Sequence, residues 1–398
     1  PSQYYQFSTL QNFLLGSSSI RVAKKQDVMM NQWKLTLSKE NRDSLQFYWT
    51  VSSFYFWFDL IIACLPVLVL IILLFYSSIS PGSYALCLFS SWLIGLVIKY
   101  TVKMIAQTES QMNAIERIKE YVDTVKPEPP MTTDVRPPAG WPSEGKIEFK
   151  NAKLRYRDGP LVMKGVNLSI NSQEKIGVVG RTGAGKSTMM IALFRITDLC
   201  EGSISIDGID LSTLGLEDVR RALCIIPQDP VLFSATVRFN LDPFNESTDE
   251  DIWSVLEQVE LKDVIQNLPN QLEDDVHEGG SNFSVGQRQL ICMARALLRH
   301  PKILILDEAT ASLDNETDTF LQQMIRKQFA NCTTLTIAHR LNTIMDSTRV
   351  CVMDQGIVAE FDTPYNLLHK EGGMFKGMVL AANDPTLFDM VENCEEMK

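Results

Sequence analysis

Two stretches of this sequence carry residue types and spacings suited to phosphate chemistry. Lys175-Ile-Gly-Val-Val-Gly180-Arg-Thr-Gly183-Ala-Gly185-Lys186-Ser187-Thr188 has the form GxxxxGKS, after an apolar strand and before an apolar helix at Met189 to Phe194. Glycines let such a loop wrap phosphate oxygens, with backbone N–H groups aimed at them. Lys186 can reach β- and γ-phosphates, and the Ser187 hydroxyl can ligate Mg²⁺. By itself this loop implies only a nucleotide site. The second stretch, Ile303-Leu304-Ile305-Leu306-Asp307-Glu308, reads as a buried parallel strand with two acids at its carboxyl end. Asp307 stands where an acid can hold Mg²⁺, and Glu308 can face an attacking water. The two stretches strengthen one another, because phosphoryl transfer needs both a cradle and a metal-holding acid.

Alternating strands and helices must position these groups. From Lys146-Ile147-Glu148-Phe149 the chain shows strand-like alternation, and strands and helices alternate to about residue 380, as in an α/β domain. We assign this domain to residues 146–382 and an acidic tail to 383–398. Six of the 17 prolines fall between Pro127 and Pro142, which predicts a stiff, extended linker over 127–145.

Upstream, the composition is that of a membrane protein. No charged residue occurs from Leu60 to Ile98. As one helix these 39 residues would span about 58 Å, against a hydrocarbon core of about 30 Å. Two spans fit, at about 52–76 and 84–105, with the turn at Ser77-Ser78-Ile79-Ser80-Pro81-Gly82-Ser83. Lys24, Lys25, Lys34, Lys39 and Arg42 precede the first span, Lys103, Arg117 and Lys119 lie at or after the end of the second, and the turn has no basic residue. Both ends therefore read as cytosolic. Residues 1–50 and 99–126 read as helical extensions. The chain opens on Pro1 inside an expected helix and reads as a fragment.

Charge and cysteine usage exclude other classes. The whole chain carries 37 Lys/Arg and 48 Asp/Glu, a net charge of −11. Residues 1–126 hold 11 and 8 of these, leaving 26 and 40, net −14, for residues 127–398. A body that acidic argues against nucleic acid as a partner. With 45% hydrophobic residues the chain is not disordered. Eight cysteines in 398 residues, without CxxC spacing, read as reduced thiols rather than a disulfide or zinc framework.

Between the two phosphate motifs lies Asn282-Phe283-Ser284-Val285-Gly286-Gln287-Arg288-Gln289, which resembles the LSGGQ signature of the ABC ATPases. Phe and Val replace Leu and the first Gly. A Ser-capped helix start accounts for Ser284 without any ligand, and is also how such a motif presents donors to phosphate. The family's other elements follow in order: Tyr156, 24 residues before Gly180; Gln228 in Ile-Pro-Gln-Asp-Pro; Ser312-Leu313-Asp314; and His339 in Ile-Ala-His-Arg. The GRTGAGKS loop, Asn240-Leu-Asp-Pro-Phe244, Arg136-Pro-Pro-Ala-Gly-Trp-Pro142 and Ala338-His-Arg-Leu-Asn342 look like the C subfamily, the multidrug-resistance-associated proteins, and specifically its second nucleotide-binding domain, and Ser281 to Leu290 looks like its short forms.

The resemblance implies transmembrane α-helices of a type I exporter fold followed by a P-loop ATPase domain, with ATP and Mg²⁺ as cofactors. Tyr156 would stack on adenine. Gly180, Thr182, Gly183, Ala184, Gly185, Lys186, Ser187 and Thr188 would hold the phosphates. Ser187, Gln228 and Asp307 would hold the metal. Glu308, His339 and Gln228 would be catalytic. Ser284, Gly286, Gln287 and Asp314 would complete composite ATP sites with a partner ATPase domain in a missing N-terminal half.

The expected function is efflux of amphipathic organic anions across the plasma membrane, with the ATPase domain cytosolic. An ATP-gated channel or channel regulator of the subfamily would share every ATPase motif. Cavity-facing positions of the relatives are here Ser52, Trp57, Tyr100 and Lys103, which makes Trp57, Tyr100 and Lys103 the substrate candidates. Lys99 and Lys103 also fit snorkelling to the interface, and Asp59 fits a helix–helix pair.

Overall fold

The computed structural model describes residues 2–75, 80–307, 315–338, 340–382, 387–388 and 390–392. It divides into two units, residues 1–127 and 128–398.

The first unit is helical: α1 (Ser2–Leu15), α2 (Ser17–Val22), α3 (Gln26–Leu74) and α4 (Pro81–Thr124). The Ser80 hydroxyl accepts the Ser83 N–H and Pro81 opens the first turn, so α4 starts where local chemistry favours a start. With 49 and 44 residues, α3 and α4 run to about 74 and 66 Å. Each is long and apolar enough to cross a membrane and to continue well beyond it. The expected spans 52–76 and 84–105 fall on these helices, apart from residue 76, which with 77–79 of the turn lies outside the described residues.

One seam joins α3 to α4. The Tyr84 hydroxyl donates to the Leu73 carbonyl at 2.8 Å, Gly95 faces Ile62, and Lys99 pairs with Asp59 at 2.6 Å. From Leu73 to Ile62 and from Tyr84 to Gly95 each helix advances about three turns, so the contacts stay on one face. A Cβ on Gly95 would lie 2.3 Å from the Ile62 Cγ2, and its lack lets the backbones close.

The second unit contains two sheets. A four-stranded antiparallel sheet, β2-β1-β4-β5, uses β1 (Ile147–Arg155), β2 (Leu161–Ile170), β4 (Glu201–Ile206) and β5 (Ile209–Asp210). A six-stranded sheet has the order β10-β9-β3-β8-β7-β6, from β3 (Lys175–Gly180), β6 (Leu223–Ile226), β7 (Ile303–Asp307), β8 (Thr333–Ile337), β9 (Arg349–Asp354) and β10 (Ile357–Asp362). All of its pairings are parallel except β9–β10. Val178 and Val179 of β3 and Ile303 to Leu306 of β7 are buried and apolar, as a sheet covered on both faces favours, whereas β8 between these strands carries three threonines.

The helices are α5 (Lys186–Leu193), α6 (Leu216–Ala222), α7 (Val237–Leu241), α8 (Asp249–Gln258), α9 (Lys262–Gln266), α10 (Val285–Leu298), α11 (Asn315–Gln328), α12 (Pro364–His369) and α13 (Met374–Ala382). Met189 and Leu193 of α5 enter the core shared by the two sheets, and α8 and α10 build a second core with Leu304 and Leu306. Cys224 and Cys351 are buried thiols. Burial raises their pKa to about 11 and about 12, so both stay protonated and unreactive. All seven described cysteines are free.

The proline-rich segment expected as a stiff, extended linker is packed within this unit from Glu128 onward. The Leu216 and Glu217 N–H groups donate to the carbonyls of Pro130 and Met131, and Arg220 grips Glu128 with two bonds of 3.0 Å. Trp141 Nε1 donates to the Ile206 carbonyl at 3.2 Å. Proline removes N–H donors, so the proline-rich part is fixed by its carbonyls and side chains, while the backbone N–H groups of Ser143, Glu144 and Gly145 beyond the last proline bind Asp207. In the expected tail, Leu387 and Val391 are buried in a third core with α12 and α13; residues 383–386, 389 and 393–398 lie outside the described residues.

Candidate nucleotide site

The parallel strands β3, β8, β7 and β6 end along one edge of the six-stranded sheet. Register aligns Val178 of β3 with Ile337 of β8 and Asp307 of β7. Leu306 aligns with Ile226 of β6, so Pro227 and Gln228 follow at the level of Asp307 and beyond. The carboxyl edge of such a sheet is the usual place for a ligand. The GxxxxGKS loop leaves β3 at this edge.

Three loop glycines have positive φ: Gly180 (155°), Gly183 (82°) and Gly185 (104°). At Gly180 the requirement is also steric, because a Cβ there would lie 2.3 Å from the Met353 carbonyl oxygen. At Gly183 a Cβ would meet nothing within 4 Å, so the loop's outer surface is open. Helix α5 begins at once, its first ladder bond running from the Met189 N–H to the Gly185 carbonyl. The N–H groups of the first turn thus project from the helix end, where its dipole favours an anion. The Lys186 ammonium is buried, 6% exposed, and donates to the Gly180 carbonyl at 2.7 Å. It bridges the loop from inside, ready to trade that carbonyl for a phosphate oxygen. Thr188 is buried, whereas Thr182 and Ser187 are exposed; Ala184 is buried, and its carbonyl accepts the Gly356 N–H. Tyr156, just beyond β1, reaches this turn, its hydroxyl 3.0 Å from the Thr188 Oγ1.

Gln228 is exposed beyond β6, and Asp307 is half-buried at the end of β7. Among the described residues, no group of three His, Cys, Asp or Glu side chains could hold a metal unaided. A Mg²⁺ bound with nucleotide takes much of its shell from phosphate and water. The hydroxyl of Ser187 and the carboxylate of Asp307, on one sheet edge, are hard oxygen donors that fit such an ion.

The signature segment forms a capping box at the start of α10. Ser284 Oγ accepts the Gln287 N–H at 3.2 Å, and Gln287 Oε1 accepts the Ser284 N–H at 2.9 Å. Both side chains thus build the helix end, with Gly286 half-buried beside them. Glu308, Asp314 and His339 lie outside the described residues.

Sequence reasoning missed Gln289. Its side chain is 1% exposed and its Nε2 donates to the Pro227 carbonyl at 3.2 Å, joining the signature helix to the loop that carries Gln228. The available signal was an amide amid the otherwise apolar buried positions of α10. On the helical unit, Trp57, Tyr100 and Lys103 are all exposed, on α3 and α4. Lys99 does not stand alone at an interface: it is bonded to Asp59.

Residues 163–311 match the family model described as ABC transporter. That segment runs from β2 through the phosphate loop and the signature to just past Asp307. The chain is 46% identical to ABC transporter C family member 12 of Dictyostelium discoideum over 94% of its own length. Its second unit carries the ABC transporter domain. The similarity is to the C family of these transporters: human ATP-binding cassette sub-family C members 3 and 4 are each 50% identical over 76% and 75% of this chain. The chain covers 28%, 20% and 22% of the length of these three relatives. A solved bacterial Atm1-family ABC exporter with ATP bound matches the fold with a TM-score of 0.79 at 24% identity, over 96% of this chain and 67% of that one. The second unit is thus an ATP-binding cassette, and the α-helical first unit precedes it as in an exporter.

Proposed function

We propose that this chain is the C-terminal portion of an ATP-driven exporter of amphipathic organic anions. It contributes two membrane helices and the second of two ATPase domains. The observation that carries the reading is the 46% identity over 94% of the chain, which includes α3 and α4 as well as the cassette. A missing N-terminal half with another ATPase domain would complete the composite sites, and the coverage of 20–28% of the relatives supports this. The bilayer, here the plasma membrane, would surround the exposed apolar faces of α3 and α4.

In this reading Tyr156 stacks on adenine. The loop from Gly180 to Thr188 binds the phosphates through N–H groups and Lys186. Ser187, Gln228 and Asp307 hold Mg²⁺, which supplies charge neutralisation at the phosphates. Glu308 orients water, with His339 and Gln228 beside the terminal phosphate. Ser284, Gly286, Gln287 and Asp314 belong to the sites shared with the partner domain. Trp57, Tyr100 and Lys103 face the substrate.

The test is ATP-dependent uptake of a steroid glucuronide into inside-out vesicles holding the full-length protein. Uptake by wild type, lost in Glu308→Gln with ATP binding retained, is the expected result. ATP-gated ion current without uptake would make it a channel instead.

A further inference from the structure

The α3–α4 seam joins the two ends of the uncharged stretch. Asp59 immediately precedes Leu60, Lys99 immediately follows Ile98, and no charge lies between them in sequence. Lys99 Nζ donates to both Asp59 carboxylate oxygens, at 2.6 and 2.7 Å. The same ammonium lies 5.8 Å from the centroid of the Tyr55 ring, one turn before Asp59 on α3. The side chains are 35% exposed for Lys99 and 53% for Asp59, so a solute on this face of the unit meets the pair directly.

An ammonium at the edge of a hydrocarbon layer is costly unless paired. Asp59 supplies the partner through two charge-assisted bonds. A carboxylate or sulfate on a solute offers the same two oxygens to the same ammonium, with Tyr55 beside it for an apolar ring system. Within the anion-exporter reading, on which this rests, we propose that Asp59 is a specificity-determining residue. It occupies Lys99 until the anionic group of the substrate displaces it. Lys99, one turn before Lys103 on α4, then receives the anion. Asp59 sets how strongly an anion must compete, because binding is the difference between two partners for one cation. Anions that offer a single hydrogen-bonding oxygen lose that competition, and carboxylates and sulfates, which offer two or more, can win it.

Removing the competitor tightens anion binding; removing the cation weakens it. In full-length protein in inside-out vesicles, ATP-dependent uptake of a steroid glucuronide is measured for wild type, Asp59→Asn, Lys99→Gln and Asp59→Asn/Lys99→Gln. The expected KM falls about fivefold in Asp59→Asn and rises about fivefold in Lys99→Gln. The double variant keeps amide hydrogen bonding across the seam and, where a single variant does not fold, carries the test; it is expected to share the high KM of Lys99→Gln. The uncharged parent steroid should inhibit all four proteins equally, since it has no anion to place on Lys99.

A pair that only clasps two helices behaves otherwise: the single variants lose folded protein, the double variant regains it, and the KM of whatever folds equals that of wild type. That result overturns the proposal while leaving the exporter reading intact. No ATP-dependent uptake by wild type overturns the reading and the proposal together.

Discussion

The Tyr156 hydroxyl lies 3.0 Å from the Thr188 Oγ1, which ties the segment after β1 to the first turn of α5. The bond holds the ring beside the phosphate loop, where it is 39% exposed and presents a face for stacking. Ring and hydroxyl therefore have separable roles. Tyr156→Phe should leave ATP affinity within about threefold of wild type, whereas Tyr156→Ala should weaken it about tenfold by removing the aromatic surface. Binding of a fluorescent ATP analogue to the full-length protein checks this. Equal affinities in Tyr156→Ala and wild type would remove the ring from the nucleotide site.

The parts of the site that were legible in sequence are local. GxxxxGKS specifies a loop because positive φ at Gly183 and Gly185 and a buried lysine are consequences of neighbouring residues. The strand ending in Asp307 is legible because burial on both faces favours a continuously apolar strand. Ser284 was legible as a helix cap for the same reason. The pairs that fix these elements in space are not local. Asp59 meets Lys99 across 40 positions, Gln289 meets Pro227 across 62, and Asp207 meets Ser143 to Lys146 across 61 to 64. Nothing near any of these residues in sequence announces its partner. Proline density likewise marked 127–145 as extended, but could not show that its carbonyls find N–H donors, and Trp141 a carbonyl acceptor, on the cassette.

Asp207, in the turn between β4 and β5, gathers four backbone N–H groups. Its Oδ2 accepts from Ser143 at 2.8 Å, Glu144 at 3.0 Å and Gly145 at 3.2 Å, and its Oδ1 accepts from Lys146 at 2.8 Å. Burial raises the pKa of this carboxyl, but the four N–H bonds outweigh it and hold the pKa below the usual range. Asp207→Ala leaves those N–H groups without their acceptor and should destabilise the cassette by about 2 kcal/mol. Protease cutting within residues 128–146 should appear in the variant, with ATP-analogue binding retained. A cutting pattern identical to wild type would mean the segment is held by its other contacts alone.

Glu360 on β10 is buried, 7% exposed, and binds the start of α13. It accepts the N–H groups of Met374 at 3.2 Å and Phe375 at 3.0 Å, and pairs with the Lys370 ammonium at 3.2 Å. Burial pushes its pKa up, but the Phe375 N–H, Lys370 and the Met374 N–H together bring it below the ordinary value. A carboxyl depressed on folding adds stability above its unfolded pKa, and that stability disappears as pH falls through the folded pKa. Glu360→Gln should therefore cost about 2 kcal/mol at neutral pH, with the gap to wild type closing below about pH 4.5. Thermal unfolding of the cassette transition at a series of pH values measures it. A gap that persists unchanged well below about pH 4.5 would assign the loss to packing instead of charge.

Gln289 provides the test of whether the signature helix positions the loop that carries Gln228. Its amide is buried on α10 and bonds the Pro227 carbonyl, while the phosphate loop and Tyr156 are held by separate contacts. Leucine has nearly the same volume but no donor. Gln289→Leu should therefore release Pro227 and Gln228 without disturbing the phosphate cradle. The expected signature is a fall of about tenfold in kcat for ATP hydrolysis by the full-length protein, with KM for ATP within about twofold of wild type. Gln289→Glu presents an oxygen to the carbonyl oxygen and should be worse than Leu, because a buried like-dipole contact adds to the lost bond. A purely structural role for the amide would instead lower the unfolding temperature and leave kcat unchanged at a temperature where the variant is folded. Steady-state hydrolysis measured well below the unfolding transition separates the two, and normal kcat in both variants would end the positioning role.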